Sequence, residues 1–472
     1  MKIIWIFYVS LVSILFTGCS LKDGQESVEH TKKGMFEFDP EEVPQGSESK
    51  YDILLKMDDD ELFTINSSIN VKNISNESWA TIPLYFIPNM FTKTNSPSLS
   101  KPATLNIEKV ILDRKNIEYS LKKDTLLIPL NRKVAPKETV NINILYSFTL
   151  PENGLRFTKN DSSYYLAQWY PMVPTYRNGW NKEEFMFKGE SYHTPYSDFQ
   201  IEYEVPENYT VVTSSEEDKF PSENKKTINL ERVKEVFIAI LDNPTMIENK
   251  VGGTNLRVFG LEKNSKDYAE ILETASAAFD YFQTTIGHYP YKQLDIILEE
   301  LGMEYPGIVT AGSIYNKGQI NTEGLKRIVV HEIAHQWFYG MVSNDSYHDP
   351  WLDEGVTDLA TFLYFTEYNN LDFDFSKETK FLEEQNLTLP VNLSINEYPP
   401  KDISSYIYGK SYIMLGKLFQ TNGGKEKAEE FLKNYFETYQ FKEVNTEEFI
   451  RYLKFYLKIE DDSVFDGWIN MD

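Results

Sequence analysis

The sequence predicts a multidomain chain: an all-β amino-terminal domain over residues 51–250, then an α+β, mostly helical domain over 251–472. Three observations predict it. Apolar residues alternate with polar ones at period two through the first part. The period lengthens to that of helices in the second. The 472 residues, 41% hydrophobic and 14% aromatic, are enough for two or three domains with real cores.

In the first part, Phe63, Ile65, Ser67, Ile69 and Val71 alternate with polar neighbours, as do Val140, Ile142, Ile144 and Tyr146, and Phe199, Ile201, Tyr203 and Val205. Each run reads as a half-buried antiparallel strand. Turn clusters such as Pro151-Glu152-Asn153-Gly154 separate them. No compact set of metal ligands falls here. After Val251, Lys266 to Gly287 predicts a helix with Tyr268, Leu272, Ala275, Phe279 and Phe282 on one side. Leu294 to Leu298 reads as a strand. Thr322 to Gly340 predicts a largely buried helix, because Ile328, Val329, Ile333, Ala334, Trp337 and Phe338 cover a broad sector. The stretch 354–457 is mostly helical, with Asn445 and Glu448 as a capping box for the last helix.

The amino terminus has the anatomy of a signal peptide over 1–18: Lys2, an apolar run from Ile3 to Phe16, then small residues. Phe16-Thr17-Gly18-Cys19 resembles the lipobox of bacterial lipoproteins. The resemblance implies lipidation at Cys19 and an extracytoplasmic protein anchored to the bacterial cell membrane. Residues 19–50, rich in Ser, Glu, Lys, Gly and Asp, read as a polar tether. The formal net charge of −25 excludes nucleic acid as a partner and docking on anionic lipid through a polybasic patch.

The chemistry concentrates in one segment. His331 and His335 stand four apart on the predicted helix, so both rings share a face and can converge on one ion. Glu332 points about 100° round the helix, where it can act as general base on a water at that ion. Glu354, after a spacer of eighteen residues, supplies the third ligand from a second helix, and Asp358 one turn later can hold the other nitrogen of a ligand His, His331 in particular. Two His and one Glu leave a fourth position open, which marks catalytic zinc. Only six His occur in the chain, and two fall here. His193 and His348 read as ordinary hydrogen-bonded or surface residues, and His30 falls in the tether.

With Gly302-Met303-Glu304 upstream and Tyr408-Gly409-Lys410 downstream, this segment resembles the aminopeptidase N family of gluzincins, which includes the bifunctional leukotriene hydrolases. The resemblance implies a β-saddle domain, a thermolysin-like catalytic domain, one Zn2+ per chain, and peptide substrates with a free amino terminus. It implies that Glu304 binds the substrate's α-amine and that Tyr408 donates to the oxyanion, with Tyr406 as the rival tyrosine. The usual Asn after that Glu is Tyr305 here, and the usual Gly after the Lys is Ser411. Gln168, in Ala167-Gln168-Trp169-Tyr170-Pro171, is a candidate second amine-binding residue. Larger family members add capping domains beyond this resemblance, so a more open cleft, or one capped by a partner, is expected. The implied function is zinc-dependent removal of amino-terminal residues. The alternatives are a zinc endopeptidase or oligopeptidase of the same type, and a non-catalytic surface-binding lipoprotein.

Overall fold

The computed structural model describes residues 38–261, 267–298, 301–312 and 321–471. The signal segment, Cys19 and residues 19–37 of the tether lie outside the described residues.

The β part is built on a seven-stranded sheet in the order Lys225–Val233, Ser197–Glu204, Ser47–Met57, Phe63–Asn73, Thr139–Phe148, Leu105–Leu112 and Lys115–Asn116. All neighbours are antiparallel except Ser47–Met57 beside Ser197–Glu204. The alternating pattern is the cause: Phe63, Ile65, Ile69 and Val71 bury one face of their strand, and Val140, Ile142, Ile144 and Tyr146 bury the same face of the next. Two smaller sheets close over this core, one of Trp79–Tyr85, Thr125–Val134 and Ser120–Lys122, the other of Tyr209–Thr213, Ile238–Asp242, Ser163–Leu166 and Phe157–Asn160.

The expected tether runs too far. Residues 47–50 open the strand Ser47–Met57. Ser47 and Ser49 occupy its core-facing positions, with Ser47 Oγ donating to the Pro174 carbonyl at 2.7 Å and Ser49 Oγ paired with Ser197 Oγ at 2.9 Å. Hydrogen-bonded hydroxyls can replace apolar side chains on a buried face, so the alternation is hidden from a hydrophobicity pattern. The residues before the strand are also held. Glu41 N donates to Glu448 Oε1 at 2.9 Å and Val43 N to the Glu443 carbonyl at 3.1 Å, while Tyr176 N donates to Gln45 O at 2.9 Å. Gly46 has φ +68 and lies against the Tyr176 carbonyl, where a Cβ would stand 1.8 Å from the oxygen.

The second part carries a four-stranded sheet, Thr245–Val251, Thr254–Gly260, Gln293–Ile297 and Ile308–Thr310. The first two form an antiparallel hairpin and the rest add in parallel. The expected boundary at 250/251 falls inside that hairpin; by pairing, the second part begins at Thr245. Its helices are α1 (Asp267–Thr285), α2 (Thr322–Ala334), α3 (Pro350–Tyr368), α4 (Ser376–Gln385), α5 (Ser411–Thr421), α6 (Gly424–Tyr439) and α7 (Thr446–Leu457).

α2 ends six residues before the expected Gly340. Beyond Ala334 the regular ladder breaks up: Gln336 and Trp337 donate three residues back, to Ile333 and Ala334, and Gly340 five back, to His335, while Tyr339 takes φ +139 and reverses the chain. Half of the expected capping box on α7 forms. Asn445 Oδ1 accepts from Glu448 N at 3.0 Å, but the Glu448 carboxylate accepts from Tyr439, Arg451 and Glu41. The two parts meet through an apolar cluster that joins Tyr165, Ala167, Phe237 and Ala239 to Phe259, Met303, Tyr305 and Ile308.

Candidate active site and metal centre

Two helices bring the metal-ligating residues together. His331 and His335 are one turn apart at the end of α2, and Glu354 comes from the first turn of α3. The two Nε2 atoms are 3.0 Å apart, and each lies 3.2 Å from Glu354 Oε2. Tetrahedral zinc with bonds of about 2.0–2.1 Å spaces its ligands roughly 3.3 Å apart. The remaining nitrogens are engaged. His331 Nδ1 is 3.2 Å from Asp358 Oδ1, and His335 Nδ1 is 3.0 Å from the Phe338 carbonyl and 3.1 Å from Thr357 Oγ1. With both Nδ1–H groups donated outward, each Nε2 presents a lone pair inward. Two lone pairs and a carboxylate oxygen at this separation repel one another unless a cation lies between them, so the set fits a zinc ion.

Asp353 adds a carboxylate not singled out from the sequence. Its Oδ1 stands 3.8 Å from His335 Nδ1, and its Oδ2 accepts from Ser346 Oγ at 2.8 Å. Burial, with Glu354 beside it, pushes Asp353 up to about 7.

Glu332 is buried, and its Oε2 has no hydrogen-bond partner among the described residues. Burial pushes it up to about 7. Its carboxylate packs under Gly302, where a Cβ would stand 2.5 Å from Oε1. A side chain at 302 would therefore displace the Glu332 carboxylate from its present position.

Glu304 reaches the same place from the sheet edge. Met303 pairs with Thr310 through two backbone hydrogen bonds, 3.2 and 2.9 Å. Gln336, directly after His335, clamps the following turn. Its Nε2 donates to the Glu304 and Tyr305 carbonyls at 3.3 and 3.2 Å, and its Oε1 accepts from Gly307 N at 3.0 Å. Ligand atoms of Glu304, Glu332 and His335 lie within 4.8 Å of one another. Burial, then the neighbouring Glu190, pushes Glu304 well above the usual carboxylate range. Tyr305, the departure from the family pattern, stacks on Phe237 with ring centroids 4.2 Å apart, inside the cluster between the two parts.

Tyr408 lies in a π-helical turn, Ser405–Lys410, with its ring 5.8 Å from that of His331. Burial and the nearby Glu354 raise its hydroxyl well above the ordinary value. Tyr406 packs on Tyr398 with centroids 5.0 Å apart, and its hydroxyl accepts from Leu389 N, so it is committed to the core. Lys410 Nζ donates to the carbonyls of Leu387, Leu389 and Gly467 at 3.1, 2.6 and 2.6 Å, holding loops together. Gln168 does not line the cavity; its Nε2 donates to Tyr192 and Glu235. His193 Nε2 meets Glu443 Oε2 at 3.0 Å, and His348 Nδ1 meets Asp345 Oδ2 at 2.9 Å.

These groups open on one cavity of about 450 Å³. Its far wall comes from the β part: Arg156 and Glu190, joined by a 2.5 Å hydrogen bond from Nη1 to Oε1. The Glu190 loop is pinned over the second part, with Lys188 donating to the Pro400 carbonyl and Gly189 packed on Ile395. Sequence reasoning missed both residues, and no local pattern marks them.

Residues 270–468 match the peptidase family M1 domain. Over that stretch the chain is similar to an M1 peptidase domain. Human glutamyl aminopeptidase is 27% identical over 249 residues, 48% of this chain and 26% of that protein. Mouse aminopeptidase B is 23% identical over 300 residues, 57% of this chain and 44% of that protein. The chain thus spans less than half the length of these relatives. A crystal structure of an M1 zinc metallopeptidase from Deinococcus radiodurans superposes with a TM-score of 0.64 at 16% identity, covering 90% of this chain and 94% of that one. The β-rich part followed by a helical part therefore shares the fold of that metallopeptidase along nearly all of the chain. Within the matched stretch, His331, His335 and Glu354 are the set that would hold a zinc ion.

Proposed function

We propose that this protein is a zinc-dependent aminopeptidase that removes amino-terminal residues from peptides. The observation that carries the reading is Glu304: a buried carboxylate grouped with the base Glu332 and the ligand His335, with Glu190 pressing its pKa upward. Such a carboxylate is relieved by an arriving cation, and the α-ammonium of a peptide is one. Relatives bearing the name aminopeptidase support the reading. So does a mutant of the Deinococcus metallopeptidase crystallised with a Tyr-Ser-Ala substrate.

Bound zinc supplies a Lewis acid that acidifies a coordinated water and polarises the scissile carbonyl. Glu332 accepts the proton of the attacking water and returns it to the leaving amine. The Tyr408 hydroxyl, kept protonated by burial, donates to the developing oxyanion. Glu304 fixes the amino end, so the first peptide bond lies at the metal. The test compares an aminoacyl-amide reporter with its acetylated twin. The free amine is cleaved and the acetylated form is not, and Glu304→Gln narrows the difference; equal cleavage of both by the unaltered enzyme would refute the reading and favour an endopeptidase.

We also infer attachment to a membrane through lipidated Cys19, which the lipobox resemblance supports. Cys19→Ala is expected to abolish labelling by a fatty-acid analogue in cells; labelling that persists would exclude it.

A further inference from the structure

Among the described residues the cavity is lined by six carboxylates: Glu190, Glu304, Glu332, Asp353, Glu354 and Asp358. Three cations face them, and they are not equivalent. Arg156 is engaged by Glu190 at 2.5 Å. Lys188 is bound to the Pro400 carbonyl. Arg327 has a side chain 55% exposed, and its Nη2 reaches Asp358 Oδ1 only at 3.5 Å. That oxygen already faces His331 Nδ1 at 3.2 Å. Most of the Arg327 fork is therefore presented to solvent and the cavity.

Its place is defined by α2. Glu304 groups with His335. Arg327 stands two turns earlier on the same helix, with His331 between. At 1.5 Å per residue the separation is about 12 Å. An extended peptide advances about 3.3–3.6 Å per residue, so roughly three residues bridge the interval. A peptide whose ammonium sits at Glu304 and whose first carbonyl sits at the metal then carries its departing part towards Arg327. A carboxylate there meets repulsion from the ionised wall carboxylates, and of the three cations this guanidinium is the one least engaged by other groups.

We propose that Arg327 is a specificity residue that takes a carboxylate on the leaving side of the scissile bond. The inference rests on the aminopeptidase reading. The carboxylate can come from the terminus of a di- or tripeptide or from an acidic side chain just after the cut, and guanidinium pairs with either in the same forked geometry.

The experiment measures kcat/KM for Ala-Ala-Ala as free acid, Ala-Ala-Ala amide, Ala-Glu-Ala amide and acetyl-Ala-Ala-Ala. The enzymes are the zinc-loaded wild type, Arg327→Gln and Arg327→Lys, with zinc content determined for each. The wild type is expected to favour a carboxylate-bearing peptide over the neutral amide by about tenfold, mainly through KM. Preference for the free acid identifies the terminus as the source, and preference for the Glu-containing amide identifies the side chain. Arg327→Gln brings the ratio close to one and Arg327→Lys keeps part of it. A general loss of zinc or fold lowers acid and amide alike and leaves the ratio intact. Equal rates on all three free-amine peptides by the wild type, or a ratio that survives Arg327→Gln, overturns the inference. Cleavage of the acetylated peptide on a par with the free acid instead overturns the aminopeptidase reading, whatever Arg327 does.

Discussion

The metal-holding side of the cavity and its recognition side are built in opposite ways. The first comes from two adjacent helices: His331 and His335 one turn apart on α2 with Glu332 between them, and Glu354 and Asp358 one turn apart on α3. Helical periodicity alone nearly determines their geometry. The second is gathered from distant chain positions, Arg156, Glu190, Glu304 and Tyr408, held by contacts such as Lys188 to Pro400 and Gln336 to Glu304. The metal ligands are thus set by local helical spacing, whereas Glu304, Glu190, Arg156 and Tyr408 are brought to the cavity by tertiary packing.

The largest expected effect tests the autonomy of the metal side. Glu332→Gln keeps the shape and removes the base. It should retain stoichiometric zinc by metal analysis while kcat falls by roughly 10²–10⁴. Loss of zinc together with activity would show that base and ligands are not separable. Tyr408→Phe sharpens the contrast from the other side. Removing one oxyanion donor should lower kcat by about 10²–10³ with KM little changed. A change confined to KM would move Tyr408 from the transition state to ground-state binding.

The smallest effect concerns the packing between the parts. Lys234 is buried, with Nζ donating to the Thr194 carbonyl, and burial lowers it from 10.5 to about 7. The folded state therefore disfavours its ammonium form. That cost is fully present below pH 7 and fades as pH rises towards 10.5. Lys234→Met should melt at a higher temperature than the wild type near pH 6, with the gap narrowing by pH 9.5. A gap that widens with pH would contradict the assignment.

The same division explains what the sequence discloses. His331, Glu332, His335, Glu354 and Asp358 are legible because their spacing is their geometry. The strands of the β part are legible wherever apolar residues mark the buried face, and fail where Ser47 and Ser49 bury hydroxyls. The end of α2 is missed because Tyr339, a residue with a side chain, takes the positive φ at which glycine is the usual signal. Glu190 has no flanking pattern at all. Tyr305 looks like a disturbed recognition residue in the motif, yet its ring turns into the core against Phe237.

The segment ahead of the first strand has a mechanical consequence. A pull applied at residue 40 runs along Ser47–Met57, which is flanked by a strand on each side. Its ladder hydrogen bonds lie across the pulling direction and are loaded together in shear, instead of opening one at a time. The bonds from Glu41 and Val43 to Glu448 and Glu443 carry part of that load directly into the carboxy-terminal helical region. A chain held by its amino-terminal end thus transmits force to both of its parts at once, and neither is peeled from the other first.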